Sequence, residues 1–331
     1  MAELKKVRWG IMSTAKIGRE KTIPAMQSSE FCDVVAIASR NKDQAELEAS
    51  RLNIREVYSS YDDLLASDID AVYIPLPNHL HVEWAKKAIE AGKHVLCEKP
   101  IGLSSFEAKE LLKASQKRPD VKVMEAFMYH FHPQWKYVKK LVDDGVIGEL
   151  KVIQSFFSYY NIDPNNIRNQ VDVGGGGMMD IGCYCVSLSR FLFDKEPKRV
   201  LGIIEYDPDL LTDRIASGIM DFSTGTSLFT CSTQLTPFQR VNIIGEKARI
   251  EIEIPFNPEP DKISKIWIYS NADSKEVTFD PVNQYSVQAD AFSKAILDNT
   301  DVPVNLEDAI NNMKVIELII ESSKENRWLT I

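Results

Sequence analysis

The sequence predicts an α/β protein of two domains: a first with a doubly wound parallel sheet, and a second, α+β in character, built on a large, open, mostly antiparallel sheet. Three observations predict it. Up to about residue 124, short apolar segments alternate with amphipathic stretches of helical period, the pattern of parallel βαβ units. After Gly148 the texture changes to longer strands separated by hairpin-type turns such as Ser223-Thr224-Gly225, which pair antiparallel. The 331 residues are 44% hydrophobic, enough apolar mass for two cores. The domains then span residues 1–124 and 125–331, with the C-terminal helix able to pack back on the first.

The first strand is Val7 to Met12, followed by Ser13-Thr14-Ala15-Lys16-Ile17-Gly18 and a helix through about Ser28. Ser13 and Ala15 stand where a dinucleotide fingerprint usually has its first two glycines, and Gly18 where it has the third. Small residues let a backbone approach a pyrophosphate, and the helix N-terminus favours its charge. A plain strand-turn-helix has the same outline.

Val34 to Ala38 is the second strand, ending in Ser39-Arg40. A site selecting NAD usually has an acid there, for the ribose 2′-hydroxyl. A hydroxyl and a guanidinium suit a 2′-phosphate instead, which favours NADP(H) over NAD(H); otherwise Arg40 is a solvated surface residue. Asn41 to Leu52 and Tyr61 to Ala66 read as helices, with Val57-Tyr58 a short strand between them. Ala71 to Ile74 is a compact strand that runs into the stiff polar loop Pro75-Leu76-Pro77-Asn78-His79-Leu80-His81. A helix over Val82 to Ala91 closes at Gly92.

The next strand ends Val95-Leu96-Cys97-Glu98-Lys99-Pro100. Charges at the end of a buried strand are costly unless paired or used. Proline ends the ladder and holds Lys99 extended. Read alone, Glu98-Lys99 fits a surface ion pair as well as a site. A helix from about Ser105 to Lys117 and a strand over Val121 to Met124 complete the domain. Parallel pairing then lines up Ser13-Ala15, Ser39-Arg40, Pro75-His81 and Glu98-Lys99 along one sheet edge, where such folds place their ligands.

In the second half, Gln134 to Asp144 and two C-terminal stretches, Tyr285 to Asp298 and Leu306 to Glu325, read as helices. Strands are expected at Val152 to Tyr160, Arg199 to Tyr206, Ile215 to Phe222, Ser227 to Thr233, Arg240 to Ile244, Arg249 to Ile254 and Lys265 to Tyr269. If both faces of such a sheet are apolar, the one without helices suits a homodimer or homotetramer. Four glycines, Gly174 to Gly177, precede a helix with Asp180 and Tyr184 four residues apart on one face. Glycines there allow close backbone approach or a flexible gate. A carboxylate and a phenol on one face suit general acid chemistry, or a structural hydrogen bond.

The net charge of -9 argues against nucleic acid or an anionic membrane as the main partner. Residues Met1 to Lys6 lack the apolar run of a signal peptide, and no stretch reaches the length of a membrane span. The five scattered cysteines do not form a disulfide framework. Cys183-Tyr184-Cys185 lacks a second ligand pair, so helix packing rather than a metal site is expected. A reducing cytoplasm fits this usage. All five histidines lie between 79 and 132, so an acid or base from the second half must be another residue type.

The chain resembles the Gfo/Idh/MocA oxidoreductases over essentially its whole length. The likeness rests on the Ser13-to-Gly18 turn, Pro77-Asn78-His79, Glu98-Lys99-Pro100, Glu125-Ala126-Phe127-Met128-Tyr129, and the glycine run leading to Asp180. Many members carry a histidine four residues after that aspartate. Tyr184 at this place resembles the branch containing glucose-fructose oxidoreductase, dimeric dihydrodiol dehydrogenase and NADP-dependent D-xylose dehydrogenases. The resemblance implies a Rossmann domain and a cis peptide at Lys99-Pro100. It also implies hydride transfer between NADP(H) and a carbinol or carbonyl carbon of a sugar-like or polyol-like substrate, with Lys99 and Tyr184 as catalytic pair and Asp180 positioning. Expected cofactor contacts are Ser13, Thr14, Ala15, Lys16, Ile17, Ser39, Arg40, Leu76, Pro77, Asn78, His81, Glu98, Lys99 and Met128. The substrate is expected between the domains, under Tyr129, Tyr160, Arg168, Asp180, Tyr184 and Tyr285. A keto-sugar reductase, a trans-dihydrodiol dehydrogenase and a non-catalytic NADP(H)-binding regulator are the alternatives.

Overall fold

The structure, a computed structural model, describes residues 5–271 and 273–331. Met1 to Leu4, on which part of the N-terminal reading rests, lie outside the described residues. Contacts divide the chain into two units: residues up to Met128 with Asn283–Ile310, and Tyr129–Val282 with Asn311–Ile331.

The first unit carries six strands: β1 (Val7–Met12), β2 (Cys32–Ala38), β3 (Glu56–Tyr58), β4 (Ala71–Ile74), β5 (His94–Glu98) and β6 (Val123–Ala126). They form one sheet in the order β3-β2-β1-β4-β5-β6, every pairing parallel. All carboxyl ends therefore share one edge, and the strand order reverses between β1 and β4, where such sheets leave a crevice. The helices are α1 (Ile23–Gln27), α2 (Lys42–Leu52), α3 (Tyr61–Ala66), α4 (His81–Glu90) and α5 (Ser105–Gln116). Asn41, Ser60 and Ser104 cap α2, α3 and α5, each side chain accepting an amide of the first turn. Before α1 comes a wide turn, Gly18–Thr22.

The second unit begins with α6 (Pro133–Asp143), capped by His132 with proline in the first turn. Its sheet contains β7 (Leu150–Tyr160), β8 (Arg199–Tyr206), β9 (Asp213–Asp221), β10 (Thr226–Ser232), β11 (Gln234–Gly245), β12 (Ala248–Ile252), β13 (Ser264–Ser270), β14 (Ser274–Phe279) and β15 (Leu329–Thr330), with α7 (Cys183–Phe193) inserted after β7. The order is β14-β13-β12-β11-β7-β10-β9-β8-β15; β7 and β10 run parallel and the other pairs antiparallel. Two further helices follow β14: α8 (Gln284–Leu297) and α9 (Leu306–Glu325). In the first unit, Trp9 of β1 donates to Ser293 of α8 at 3.3 Å, and Ser29 bonds Asp290.

Period-2 alternation separates the faces of the second sheet. Ile153, Phe157, Ala216, Met220, Phe229, Cys231, Val241 and Ile243 point inward and are buried. On the opposite face, cross-strand register aligns Gln154, Leu228, Ile219 and Leu201 in one row, and Phe156, Thr230, Ser217 and Ile203 in the next. Ile203 is 72% exposed, and Leu228 is exposed on the same face. All five cysteines are buried free thiols. Among the described residues, no helix is long and apolar enough to cross a membrane.

Candidate active site

The edge of the first sheet begins at Ser13, which takes φ +84°, a left-handed conformation that a glycine would adopt without penalty. Two side-chain bonds offset that penalty. Its Oγ donates to the Pro75 carbonyl at 3.3 Å and accepts from the Ala15 amide at 3.2 Å. Among the described residues, no backbone acceptor outside the helical run takes the amides of Thr14, Lys16 or Ile17, which open it. The Lys16 side chain turns outward to Glu20 at 3.9 Å. At the end of β2, buried Ser39 accepts the Asn41 amide at 3.2 Å. Arg40 is exposed beside Tyr61, and no carboxylate pairs with it among the described residues. Open amides at a helix start and an unneutralised guanidinium one strand away fit the pyrophosphate and 2′-phosphate of NADP(H).

The exit of β5 is fixed by three anchors. Buried Tyr73 donates to Glu98 Oε1 at 2.5 Å, and Thr22 lies 3.0 Å from the same phenol oxygen. Burial and the Glu98 charge both raise the Tyr73 pKa well above its ordinary value, so the phenol stays a donor. His81 spans two carbonyls, Nδ1 to Pro100 at 2.8 Å and Nε2 to Leu76 at 2.7 Å. Glu125 Oε1 accepts the Ile101 amide at 2.6 Å. Lys99 is half-buried between these anchors, and Lys99-Pro100 is cis. With both ring nitrogens on carbonyls, His81 holds the Leu76-Pro77-Asn78 loop against the segment after Lys99. Met128 closes the unit, buried, and Tyr285 at the start of α8 is half-buried within electrostatic range of Tyr73.

In the second unit, Asp180 sits in a wide turn, Met178–Gly182, that leads into α7. One carboxylate oxygen accepts from Tyr159 at 2.6 Å and from Arg168 Nε at 2.9 Å. The Asp180 charge raises the Arg168 pKa against burial. Burial and that same charge raise Tyr159. Asp180 is therefore a paired carboxylate, held by a cation and a phenol, and not a free base. Arg168 keeps 40% of its side chain exposed, and its charge reaches Tyr184. The Tyr184 ring packs 5.4 to 5.8 Å from Phe256, Phe157 and Tyr129.

Two further residues expected at the substrate differ in burial. Tyr129 is fully buried, its hydroxyl 2.8 Å from Ser187, and supports the Tyr184 ring. Tyr160 is 61% exposed and outside the cluster; its neighbour Tyr159 reaches Asp180, because adjacent strand residues face opposite ways. The glycine run makes a close approach. A Cβ on Gly175 would stand 2.6 Å from the Arg168 carbonyl, and the Gly176 amide donates to that carbonyl at 2.8 Å. Thr22, Tyr73, Tyr159 and Asp213 were not among the residues singled out from the sequence, and Glu125 was named only within a motif. The strand alternation alone could have pointed to Tyr159.

Two family models match: the oxidoreductase family with NAD-binding Rossmann fold over residues 7–127, and the GFO/IDH/MocA C-terminal domain over 135–251. The chain belongs to the Gfo/Idh/MocA oxidoreductase family. It is 36% identical over 319 residues to a D-xylose 1-dehydrogenase (NADP(+)) of Haloferax volcanii, covering 96% of this chain and 97% of that one. It is 31% identical to a trans-1,2-dihydrobenzene-1,2-diol dehydrogenase of Xenopus laevis, over 74% of each. Among solved structures, the 3-ketoreductase KijD10 of Actinomadura kijaniata, in complex with NADP and TDP-benzene, superposes with a TM-score of 0.90 at 27% identity, over 96% and 98% of the two chains.

Three buried imidazoles give this family member a defined acid response. Burial pushes His81 and His132 down to about 4 and His130 to about 3. Their folded pKa values lie below the unfolded value, so the folded state binds fewer protons and stability is lost as pH falls through the window from 6.5 toward 4. Burial raises Asp213 to about 7, which acts in the opposite sense over the same window. The net uptake on unfolding near pH 5 should approach about two protons. Urea midpoints measured from pH 7 to pH 4.5 should fall accordingly; a flat profile would contradict the neutral, buried imidazoles.

Proposed function

We propose that this protein is an NADP(H)-dependent oxidoreductase that moves a hydride between the nicotinamide and a carbinol or carbonyl carbon of a sugar or sugar-like substrate, of the aldose 1-dehydrogenase type. NADP(H), when bound, supplies the hydride acceptor or donor. In the oxidative direction Tyr184 takes the hydroxyl proton as the carbinol carbon gives up its hydride, leaving a carbonyl. A free phenol with a pKa of about 10 is too weakly acidic to do this at neutral pH. A cation nearby favours phenolate, and the Lys99 ammonium is assigned that role, together with a bond to the substrate oxygen. Glu98, locked by Tyr73, keeps Lys99 in place. Arg168 and Asp180 orient substrate hydroxyls.

The observation that carries this reading is the Arg168–Asp180 pair beside Tyr184: an ordered cation within reach of a phenol that sits among aromatic rings. The names of the relatives support the substrate class, and the open edge at Ser13 and Arg40 supports the cofactor. The buried free thiols suit a reducing cytoplasm. Absorbance at 340 nm, with NADP+ or NADPH and a panel of aldoses, polyols, keto-sugars and trans-dihydrodiols, decides among the activities. Dinucleotide binding without turnover on any of them would leave a non-catalytic regulator. On the substrate that reports, Lys99→Ala and Tyr184→Phe should each lower kcat by about 10²–10⁴-fold, with dinucleotide affinity retained. Near-wild-type turnover in either variant sinks the assignment.

The 2′-phosphate reading of Arg40 has its own check. Arg40→Ala should raise the KM for NADP(H) by about 10–100-fold, the worth of a charge-assisted bond, and leave that for NAD(H) unchanged. An equal effect on both dinucleotides would refute it.

The bare apolar rows around Leu228 and Ile203 fit a second copy of the chain, as a homodimer or homotetramer. Ile203→Asp should shift the sedimentation coefficient toward that of a monomer; a wild-type chain that sediments as a monomer ends this proposal.

A further inference from the structure

The same reading of the site leaves one buried carboxylate unused. Asp213 stands at the start of β9 and is almost fully buried. Its Oδ2 accepts the Met178 amide at 2.6 Å, and the nearby amides of Gly177 and of Asp213 itself favour the ionised carboxylate. The Gly177 and Met178 amides are orphan donors at the start of the turn that carries Asp180. The backbone has been cleared to admit the group: Gly176 takes φ +116°, and a Cβ there would collide with Asp213 Oδ1 at 1.9 Å. The same glycine donates its amide to the Arg168 carbonyl at 2.8 Å and accepts the Asp180 amide at 3.0 Å. Gly176 thus packs against Asp213 and bonds the backbone of both members of the Arg168–Asp180 pair.

We propose that Asp213 is a positioning residue for the reaction: its carboxylate pins Gly176 to Met178, and through them sets where Arg168, Asp180 and the α7 residue Tyr184 stand. It touches neither the substrate nor the reacting atoms. The proposal rests on the functional reading above, which assigns proton transfer to Tyr184. Removing the acceptor frees the turn, and a displacement of about 1 Å far from the chemistry can lower turnover by about 10²-fold.

The test uses the full chain, NADPH and the substrate that reports in the 340 nm panel. Asp213→Ala should lower kcat by about 10²-fold and leave the NADPH dissociation constant, read by its fluorescence, unchanged. It should also move the limb of the pH–kcat profile assigned to Tyr184, because Arg168 no longer holds its place beside the phenol. A purely structural loss would lower the melting temperature and leave that limb where it is. Asp213→Asn keeps one oxygen for the Met178 amide and should restore most of kcat. Asp213→Glu keeps the carboxyl group but moves its oxygens out by one methylene, so it should lose kcat as the alanine variant does; it decides the matter if Asp213→Ala does not fold. Wild-type kcat and pH profile in a folded Ala or Glu variant overturn the proposal. Activity surviving in Tyr184→Phe overturns the functional reading instead, so the two failures are distinguishable.

Discussion

The exit of β5 places an acid and a lysine at the end of an apolar strand, and the first unit is arranged to make that tolerable. A carboxylate leaving a strand such as His94–Glu98 must be paired or hydrogen-bonded to stay there. Glu98 receives a proton donor from Tyr73, which Thr22 orients from below. The next residues are held as firmly: the Pro100 carbonyl by His81 and the Ile101 amide by Glu125. The anchors come from four separate segments, so Lys99 inherits its place from the whole sheet edge. The catalytic role proposed for Lys99 benefits from such a setting, since a long flexible side chain is precise only where its root is rigid.

The second unit solves an analogous problem with different parts. Asp180 would be a buried charge at the start of a helix. Arg168 and Tyr159 pair it, and the glycine run lets the Arg168 backbone come close enough to do so. The pairing determines the chemistry the group can do. A carboxylate that shares one oxygen between a guanidinium and a phenol suits an orienting role, and in the proposed reaction proton exchange falls to Tyr184. Its aromatic surroundings, Phe157, Phe256 and Tyr129, come from β7, the segment after β12 and the short turn before α6.

The two units also differ in how they manage exposed edges. β14, the last strand of the large sheet, carries Lys275 and Glu276 and is mostly exposed. Charged side chains on an edge strand discourage further pairing. The same composition hides it from a search for alternating apolar residues, so it did not stand out as a strand. β11 starts six residues earlier than its apolar pattern suggests, because Pro237 lies at a register shift between Gln234 and Phe238. Proline is admitted to a sheet at such irregularities.

What the sequence determined by itself was local and periodic. Strand and helix alternation dictated a parallel sheet, and parallel pairing dictated that Ser13, Ser39-Arg40, Pro75-His81 and Glu98-Lys99 share an edge, because every carboxyl end must then point the same way. The confinement of histidines to residues 79–132 and the spacing of Asp180 and Tyr184 turned attention to a tyrosine. Only the tertiary structure decided the partners. His81 and Tyr129 are buried, with His81 between two backbone carbonyls and the Tyr129 hydroxyl on Ser187. Tyr159 displaces Tyr160 through a one-residue change of face. Asp213 lies 33 positions after Asp180 in the chain and carries no motif; it matters because β9 brings it under the glycine run. Hydrogen bonds between residues distant in sequence depend on how strands pack, and packing leaves no periodic trace in the chain.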